Sequence, residues 1–471
     1  MTDRRGDSSS ISERLTDRIS IGVLIRTIPR ELVDEVLTET GRREKRSRRL
    51  PAHVVVYFVI AMAIFRDGYE EVLRKLVNGL SFLGNWRDTW TVPTTGAISQ
   101  ARERLKELPM RTLFDRIAAP LGKPSTPGAW LRSWRLMAID GVQIDVPDSE
   151  ANLKEFGKYE GGTRRPFPQV HAVGLGECGT HAVVAAALGT IYDGERKLAA
   201  RLLSAVVPGM LVLADRGFFS FELWAQYLVT GADLLWRVTA GIKFPVTELL
   251  ADGSYLSVIN SKKTRSAGYR IPLSAVEDPR DATHIPVRVI EYTVTGDGTE
   301  QPQVFRLVTT ILDPHAATAL ELAAAYQQRW EYEMSLREIE TQLLESGQGL
   351  RSKTPELVRQ EFWALLLAHY AIRALMTEAA DTADIDPDRL SFIRTLNIVR
   401  RQVTNQAGFP PGTLNRARTD AITEILERVT PGRRKRTYPR VHKRGNRHNY
   451  SIKKPEHHQR PYHPKPVICT P

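Results

Sequence analysis

Apolar and polar positions repeat with different periods in different parts of the chain. Residues 13–125 follow a helical period. TIPRELVDEVLTETG (27–41) opens with Thr27 and Pro29, carries a glutamate in its first turn and closes at Gly41, which predicts a helix. HVVVYFVIAMAIF (53–65), just past Pro51, is apolar on every side and predicts a buried helix. VPTTGAISQARERLKEL (92–108) predicts a turn, a threonine cap and an amphipathic helix bearing Arg102, Arg104 and Lys106. That pattern resembles the second helix of a helix-turn-helix, and it fits an ordinary bundle helix equally well.

From residue 131 the period shifts towards two. WRLMAIDGVQIDV predicts a strand, and PQVHAVGL with THAVVAAALGT predicts a hairpin turning around Gly176–Gly179. GERKLAARLLSAV reads as a helix, GMLVLADRGF as a short buried strand, FELWAQYLVTG as a helix and DLLWRV as a strand. Residues 237–310 hold short alternating segments such as PVRVIEYTVT between DG, GDG and AG turns, which predicts a β-rich insertion. Long helices return over 316–347 and 354–380, followed by further helices. GLGECG (174–179) matches G-x-G-x-x-G, but a dinucleotide site needs a helix after its glycines, and the strand-like run THAVVAAAL follows instead.

Charge adds a partner class. Residues 432–471 hold twelve Lys and Arg against one acid, Glu456, which is nearly all of the net charge of +12. Tyr438, Tyr450 and Tyr462 lie among these cations, a pattern that suits a polyanion such as nucleic acid, although a solvated, disordered tail would also account for it. DNA affinity with a steep salt dependence is expected from such a tail. Two distant cysteines, Cys178 and Cys469, give neither a disulfide framework nor a zinc-ligand spacing. The best apolar run is too short to span a membrane and the N-terminus lacks a signal-peptide core, so a cytoplasmic, nucleoid-associated protein is expected.

Candidate chemistry sits on carboxylates. Asp140 follows RLMAI and Asp215 follows MLVLA, both where an apolar strand is expected to run out. Such positions face the crevice where α/β sheets bind ligands, and they also suit turn or helix caps. Further along, YQQRWEYEMSLREIE (326–340) raises a different pattern. At about 100° per residue, Arg329, Trp330, Glu333 and Arg337 fall within about 60° of Tyr326, so one stripe of a single helix mixes aromatics, cations and a carboxylate. Arg–Glu pairing at i,i+4 beside core aromatics would explain it; so would a site glutamate held beside a cation. Adjacent strands could bring Asp140 and Asp215 together, with a later helix laying Glu333 across them. Three acids without a thiol or histidine partner suit Mg²⁺ or Mn²⁺, and a pair of such ions suits phosphodiester chemistry. Asp145 and Asp148 compete for these roles, and Asp193 reads as a turn residue.

AIDGVQIDVPDS around Asp140, LADRGFFS around Asp215, and Tyr326-x2-Arg329-Trp330-x2-Glu333 together resemble the insertion element 4 family of bacterial DDE transposases. LRSKTPELVRQEFWALLLAHYAIR (350–373), the helical N-terminal region and the tail YPRVHKRGNRHNYSIKKP extend the similarity over most of the chain. The resemblance implies an α/β fold with an RNase H-like mixed-sheet catalytic core. It implies a disordered 1–12, a helical DNA-binding region at 13–130, and a catalytic domain at 131–380 with its β-rich insertion at 237–310. A helical region at 381–431 and a basic tail at 432–471 complete the division. Asp140, Asp215 and Glu333 would be the catalytic ligands of two Mg²⁺ or Mn²⁺ ions, with Tyr326 and Arg329 on DNA phosphates and Trp330 packed beside them. Terminal inverted repeats and target DNA would be the partners, bound by a synaptic homodimer. The insertion would supply aromatics for a flipped base; Trp236 stands near its start without an assigned role.

One position departs from the family pattern. A lysine is expected seven residues past the glutamate, and Glu340 stands there. Arg337, one turn after Glu333, is the candidate replacement. An active cut-and-paste transposase, a catalytically impaired one that only occupies DNA, and an RNase H-fold nuclease therefore stand as three alternatives.

Overall fold

The computed structural model describes residues 16–44, 48–80, 90–159, 167–239, 241–261, 270–295, 304–405, 411–431 and 465–469. Helices α1 (Arg30–Glu39), α2 (Ala52–Ile64), α3 (Tyr69–Asn78), α4 (Thr95–Leu105) and α5 (Leu108–Ile117) come first. Strands β1 (Trp130–Leu131) and β2 (Trp134–Asp145), helix α6 (Glu150–Phe156), and strands β3 (Gln169–Glu177), β4 (Val183–Gly189) and β5 (Met210–Ala214) follow. Next are α7 (Phe221–Leu228), β6 (Asp233–Arg237), β7 (Glu248–Leu249), β8 (Tyr255–Asn260), β9 (His284–Thr295) and β10 (Val304–Thr309). Helices α8 (Ala319–Gln327), α9 (Arg329–Glu338), α10 (Pro355–Thr382), α11 (Phe392–Asn405) and α12 (Pro411–Leu426) and strand β11 (Lys465–Ile468) complete the order. This is the expected mixed α/β class, with a large mixed sheet.

Two compact units form, and neither is continuous in sequence. The first comprises Met1–Pro127, Gly141–Leu198 and Glu331–Val429; the second comprises Gly128–Asp140, Ala199–Trp330 and Thr430–Pro471.

In the first unit every residue of α2 is buried, as its all-round apolar sequence demands, and α2 packs against the long helix α10. Among the described residues no single helix is long and apolar enough to cross a membrane. Helix α4 starts where Thr94 Oγ1 accepts from the Ala97 N–H at 3.4 Å. Its Arg102 does not reach outwards, which corrects the helix-turn-helix reading for that residue. Arg102 is wholly buried and donates to Gln360 Oε1 (2.9 Å), Tyr69 Oη (2.6 Å), Ser352 Oγ (2.9 Å) and Leu357 O (3.2 Å). A guanidinium with that many acceptors joins α4 to α10. Strands β3 and β4 make the predicted antiparallel hairpin, so GLGECG runs from a strand into a turn and another strand.

In the second unit the strands lie in the order β2-β5-β6-β10-β9-β8-β7. β2–β5 and β5–β6 are parallel, and the remaining pairs are antiparallel. The β-rich stretch after Arg237 is thus not an appendage: β10 pairs with β6 through Thr309↔Leu235 and carries the sheet on. Arg288, wholly buried, donates to Ser254 Oγ (2.8 Å) and Ala317 O (2.7 Å) and pairs with Asp252. Asp252 in turn accepts from Ala319 N at 2.6 Å, and Thr318 with Glu321 forms a capping box. The inserted strands therefore fix the start of α8. Trp236 is wholly buried, edge-on to Trp224 at 5.2 Å and to Tyr227 at 5.3 Å, so it is core.

The tail ends in structure. β11 pairs antiparallel with β9, Lys465↔Thr295 to Ile468↔Tyr292. The remaining cations of 432–464, and residues 1–12, lie outside the described residues.

Candidate active site

The first two carboxylates are brought together by sheet register. β2 and β5 pair in parallel from Arg135↔Met210 to Ile139↔Ala214. One residue further on each chain stand Asp140 and Asp215, on the same face by strand alternation, with their backbones roughly 5 Å apart. The strand predicted over WRLMAIDGVQIDV forms: its fully buried run ends at Ile139, and β2 continues past Asp140 to Asp145. The glycine after Asp140 has a packing reason within the first unit. A Cβ on Gly141 would stand 2.7 Å from Oε1 of Glu195, a carboxylate that the sequence reading passed over.

Arg329 reaches this pair. It is 8% exposed and donates through Nη1 to Asp140 Oδ2 at 2.8 Å. Its guanidinium also lies 6.0 Å from the Tyr326 ring centroid and 5.7 Å from that of Trp330. Tyr326 is buried, its hydroxyl donates to Ala214 O at 3.4 Å, and burial pushes its ionisation above the usual range while Arg329 opposes that shift. Trp330 is 41% exposed. Tyr326 therefore supports the strand end from beneath, and Trp330 offers the open aromatic face.

Asp215 has a different environment. Its Oδ1 is buried without a hydrogen-bond partner among the described residues, and the nearest cation, Arg237 Nη1, stands 3.8 Å away. Arg237 stacks on Phe305 at 4.5 Å. With Arg216, Arg306, Thr239 and Glu291 it lines a cavity of about 250 Å³. Sequence reasoning missed Arg237; its signal was a cation at the end of the strand beside β5, the same kind of position as Asp215.

The single helix expected over 326–340 is interrupted. α8 ends at Gln327, α9 starts at Arg329, and a π-helical turn spans Ile339–Leu343. The uniform 100° step behind the stripe is therefore interrupted between Tyr326 and Arg329, whereas Arg329, Trp330, Glu333 and Arg337 share one unbroken helix and the π turn follows them. The division between units also passes through α9, after Trp330, so Glu333 and Arg337 belong to the first unit. Glu333 is half-buried and Arg337 exposed. Glu340, at the lysine position, is exposed within the π turn.

The competing aspartates are held by other work. Asp145 Oδ1 accepts from Gln169 Nε2 at 2.6 Å, and its backbone oxygen accepts from Leu350 N at 2.9 Å. Asp148 is 3.5 Å from Lys158 Nζ, and Asp193 accepts from Thr190 N at 3.0 Å, the predicted turn.

A separate grouping was not foreseen. In the first unit, ligand atoms of His181, Glu331 and Asp388 lie within 4.8 Å of one another.

Residues 18–115 match the family described as insertion element 4 transposase N-terminal, and residues 134–371 match the transposase DDE domain. The chain is 30% identical, over 87% of its length and 89% of the relative's, to the transposase InsG for insertion sequence element IS4 of Escherichia coli (strain K12). It is 25% identical to the putative transposase InsZ of the same organism over 45% of this chain and 69% of that one. A solved piggyBac transposase synaptic complex with hairpin DNA covers 87% of the chain and is itself 85% covered, at 12% identity and a TM-score of 0.42. The DDE domain implies use of a divalent metal. The chain belongs to the insertion element 4 family and is an insertion-sequence DDE transposase, an enzyme of the polynucleotidyl transferase and endonuclease class.

Proposed function

We propose that Asp140, Asp215 and Glu333 hold two Mg²⁺ or Mn²⁺ ions and cut DNA at the element's terminal inverted repeats, in an RNase H-like core. The observation that carries this reading is the β2–β5 register, which sets two carboxylates side by side at a sheet position open to solvent. The donor set fits a hard cation: all three ligands are oxygens, and Asp215 Oδ1 is buried without a hydrogen-bond partner among the described residues. Ions so held supply an activated water or 3′-hydroxyl and stabilise the leaving oxygen.

The chain's own groups do the rest. Arg329 neutralises Asp140 and has five N–H donors, more than one carboxylate can use, so it can also serve a phosphate. Glu333 lies one helical turn past Arg329 on α9, about 6 Å along the axis. Arg216, Arg237 and Arg306 line the neighbouring cavity with positive charge suited to a DNA backbone. Trp330 gives an exposed ring for stacking. Double-stranded DNA is the partner, bound by a homodimer at synapsis, with the tail cations adding non-specific affinity.

Glu340 supports a second reading, in which the protein binds repeat ends without cutting them. A labelled DNA bearing the element's own repeats, incubated with Mg²⁺ or with EDTA, separates the two. Metal-dependent nicking at the repeat boundary, lost in Glu333→Gln and in Asp215→Asn, is the expected result. Binding without nicking by the wild-type protein would overturn it in favour of the second reading.

A further inference from the structure

The glycines of GLGECG have no part in the chemistry above, yet they are not idle. Gly174 and Gly176 stand two apart on β3, hence on one face of the strand. Tyr332, wholly buried, lies across both: a Cβ on Gly174 would overlap the Tyr332 hydroxyl, and a Cβ on Gly176 would overlap ring atoms Cδ2 and Cε2. Only a strand without side chains at these positions lets the ring lie on its backbone. The pairing with β4 is irregular between Leu175 and Gly176, under the same ring.

The turn of this hairpin takes a second hold on α9. His181, in a left-handed conformation (φ 62°), places Nε2 3.1 Å from Glu331 Oε2 and 2.8 Å from Asp388 Oδ1. Its Nδ1 lies 2.6 Å from Nη2 of Arg373. A guanidinium nitrogen only donates, so Nδ1 accepts and the imidazole proton sits on Nε2, where it serves Glu331 with Asp388 Oδ1 close by. A cation at Nε2 would need that lone pair, so this arrangement argues for a hydrogen-bonded clasp rather than a metal site.

Glu331 and Tyr332 are thus both gripped by one hairpin, and Glu333 is the next residue. Fixing two successive side chains sets the rotation and the height of the helix, and with them the direction of Glu333. We infer that the β3–β4 hairpin is a positioning device for Glu333, with Gly174, Gly176 and His181 as its positioning residues. This rests on the reading of Glu333 as a metal-binding carboxylate.

The two glycines give a specific rescue test, using the full-length protein, repeat DNA and a Mn²⁺ titration. Gly174→Ala is expected to slow cleavage by about 10- to 100-fold, the scale of an ångström-sized misplacement, and to raise the Mn²⁺ needed for half-maximal rate. Repeat binding should stay within about 2-fold of wild type, because DNA contacts beyond Glu333 are untouched. Adding Tyr332→Phe removes the hydroxyl and leaves the new methyl 3.5 Å from Cζ and 3.4 Å from Ala185 O, so the double variant should regain the rate of Tyr332→Phe alone. Gly176→Ala meets ring carbons, so Tyr332→Phe should not rescue it. Wild-type cleavage by Gly174→Ala, an equal loss of binding and cleavage, or a failure of the rescue would each overturn the inference. Glu333→Gln in the same assay tells the two readings apart: if it still cleaves, the catalytic assignment fails; if it is dead while Gly174→Ala is unimpaired, only the positioning role fails.

Discussion

The side chain of Asp215 is 34% exposed and that of Glu338 12%, and their surroundings differ as much as their access to water. Glu338, in the first unit, accepts from Arg373 Nε at 2.9 Å and lies 3.1 Å from His369 Nε2, with His181 Nδ1 3.9 Å away. Burial alone would discourage its ionisation, but Arg373 and the His369 hydrogen bond outweigh that and hold its carboxyl down at about 2. Asp215, in the second unit, has an oxygen buried without a hydrogen-bond partner among the described residues, and its cation stands at 3.8 Å. A protein that satisfies a buried carboxylate this fully and leaves a partly exposed one under-satisfied is using them for different ends. The first ties helices together; the second is open to a cation.

The sharpest test of that contrast is to neutralise each acid in turn. Asp215→Asn should cut repeat cleavage by on the order of 10³-fold or more while leaving urea-unfolding stability unchanged, since a part-exposed carboxylate with its cation 3.8 Å away contributes little to stability. Glu338→Gln should do the reverse, costing about 3–5 kcal/mol by leaving Arg373 buried without its carboxylate. If Asp215→Asn unfolds the protein, the two sites are not different in kind.

Acid pH separates charge clusters from isolated buried groups. His53 is buried and 3.2 Å from Thr16 O; burial above all, then Arg30, lowers it to about 4. Between about 6.5 and about 4 the unfolded chain therefore takes up a proton that the folded chain refuses. Stability should fall over that window by on the order of 3 kcal/mol and then level off. Glu338 responds to acid with the same sign in a lower window: its contribution is fully present above its ordinary 4.5 and is lost only as pH falls towards about 2. In His53→Gln the loss between pH 6.5 and 4 should disappear from the unfolding curve. A slope that persists unchanged in this variant would assign the acid response elsewhere.

Metal-linked stabilisation tests which acids are open. At Mn²⁺ about 100-fold above its dissociation constant, wild type should gain about 2.7 kcal/mol. The gain should vanish in Asp140→Asn and survive in Asp388→Asn, because His181 Nε2 carries a proton directed at Glu331 and has no lone pair for a metal. Loss of the gain in Asp388→Asn alone would move the metal to the His181 grouping.

Much of this could be read from the sequence, and the misses share a cause. Strands β2, β5 and β6, the β3–β4 hairpin and the apolar helix α2 follow from local period and turn residues, and Asp140 and Asp215 are marked by the strands that precede them. What failed depends on residues far away in the chain. Arg102 looks like a surface cation until Gln360 and Ser352, some 250 residues on, are seen to surround it. The break at Gln328 and the π turn at Ile339 leave no mark in an apolar period. GLGECG is legible as a non-nucleotide turn, but its purpose lies in Tyr332, on a helix the motif does not touch in sequence.

The smallest expected effect concerns two arginines. Arg373 is buried and committed to Glu338, whereas Arg337, one residue before that glutamate, is exposed. If Arg337 stands in for the lysine that Glu340 replaces, it works through solvent on a phosphate. Its contribution should then be modest and screened by salt. Arg337→Ala is expected to weaken binding of cleaved repeat ends by about 3- to 10-fold and to lower the slope of log K against log salt by about 0.9, one phosphate's worth of released counterion. Glu340→Lys should recover affinity in that background, because it restores a cation and removes a like charge from the path of the phosphate. Unchanged affinity and slope in Arg337→Ala would take Arg337 off the DNA path, and the family's missing cation would have to be sought among Arg216, Arg237 and Arg306 around the cavity they line.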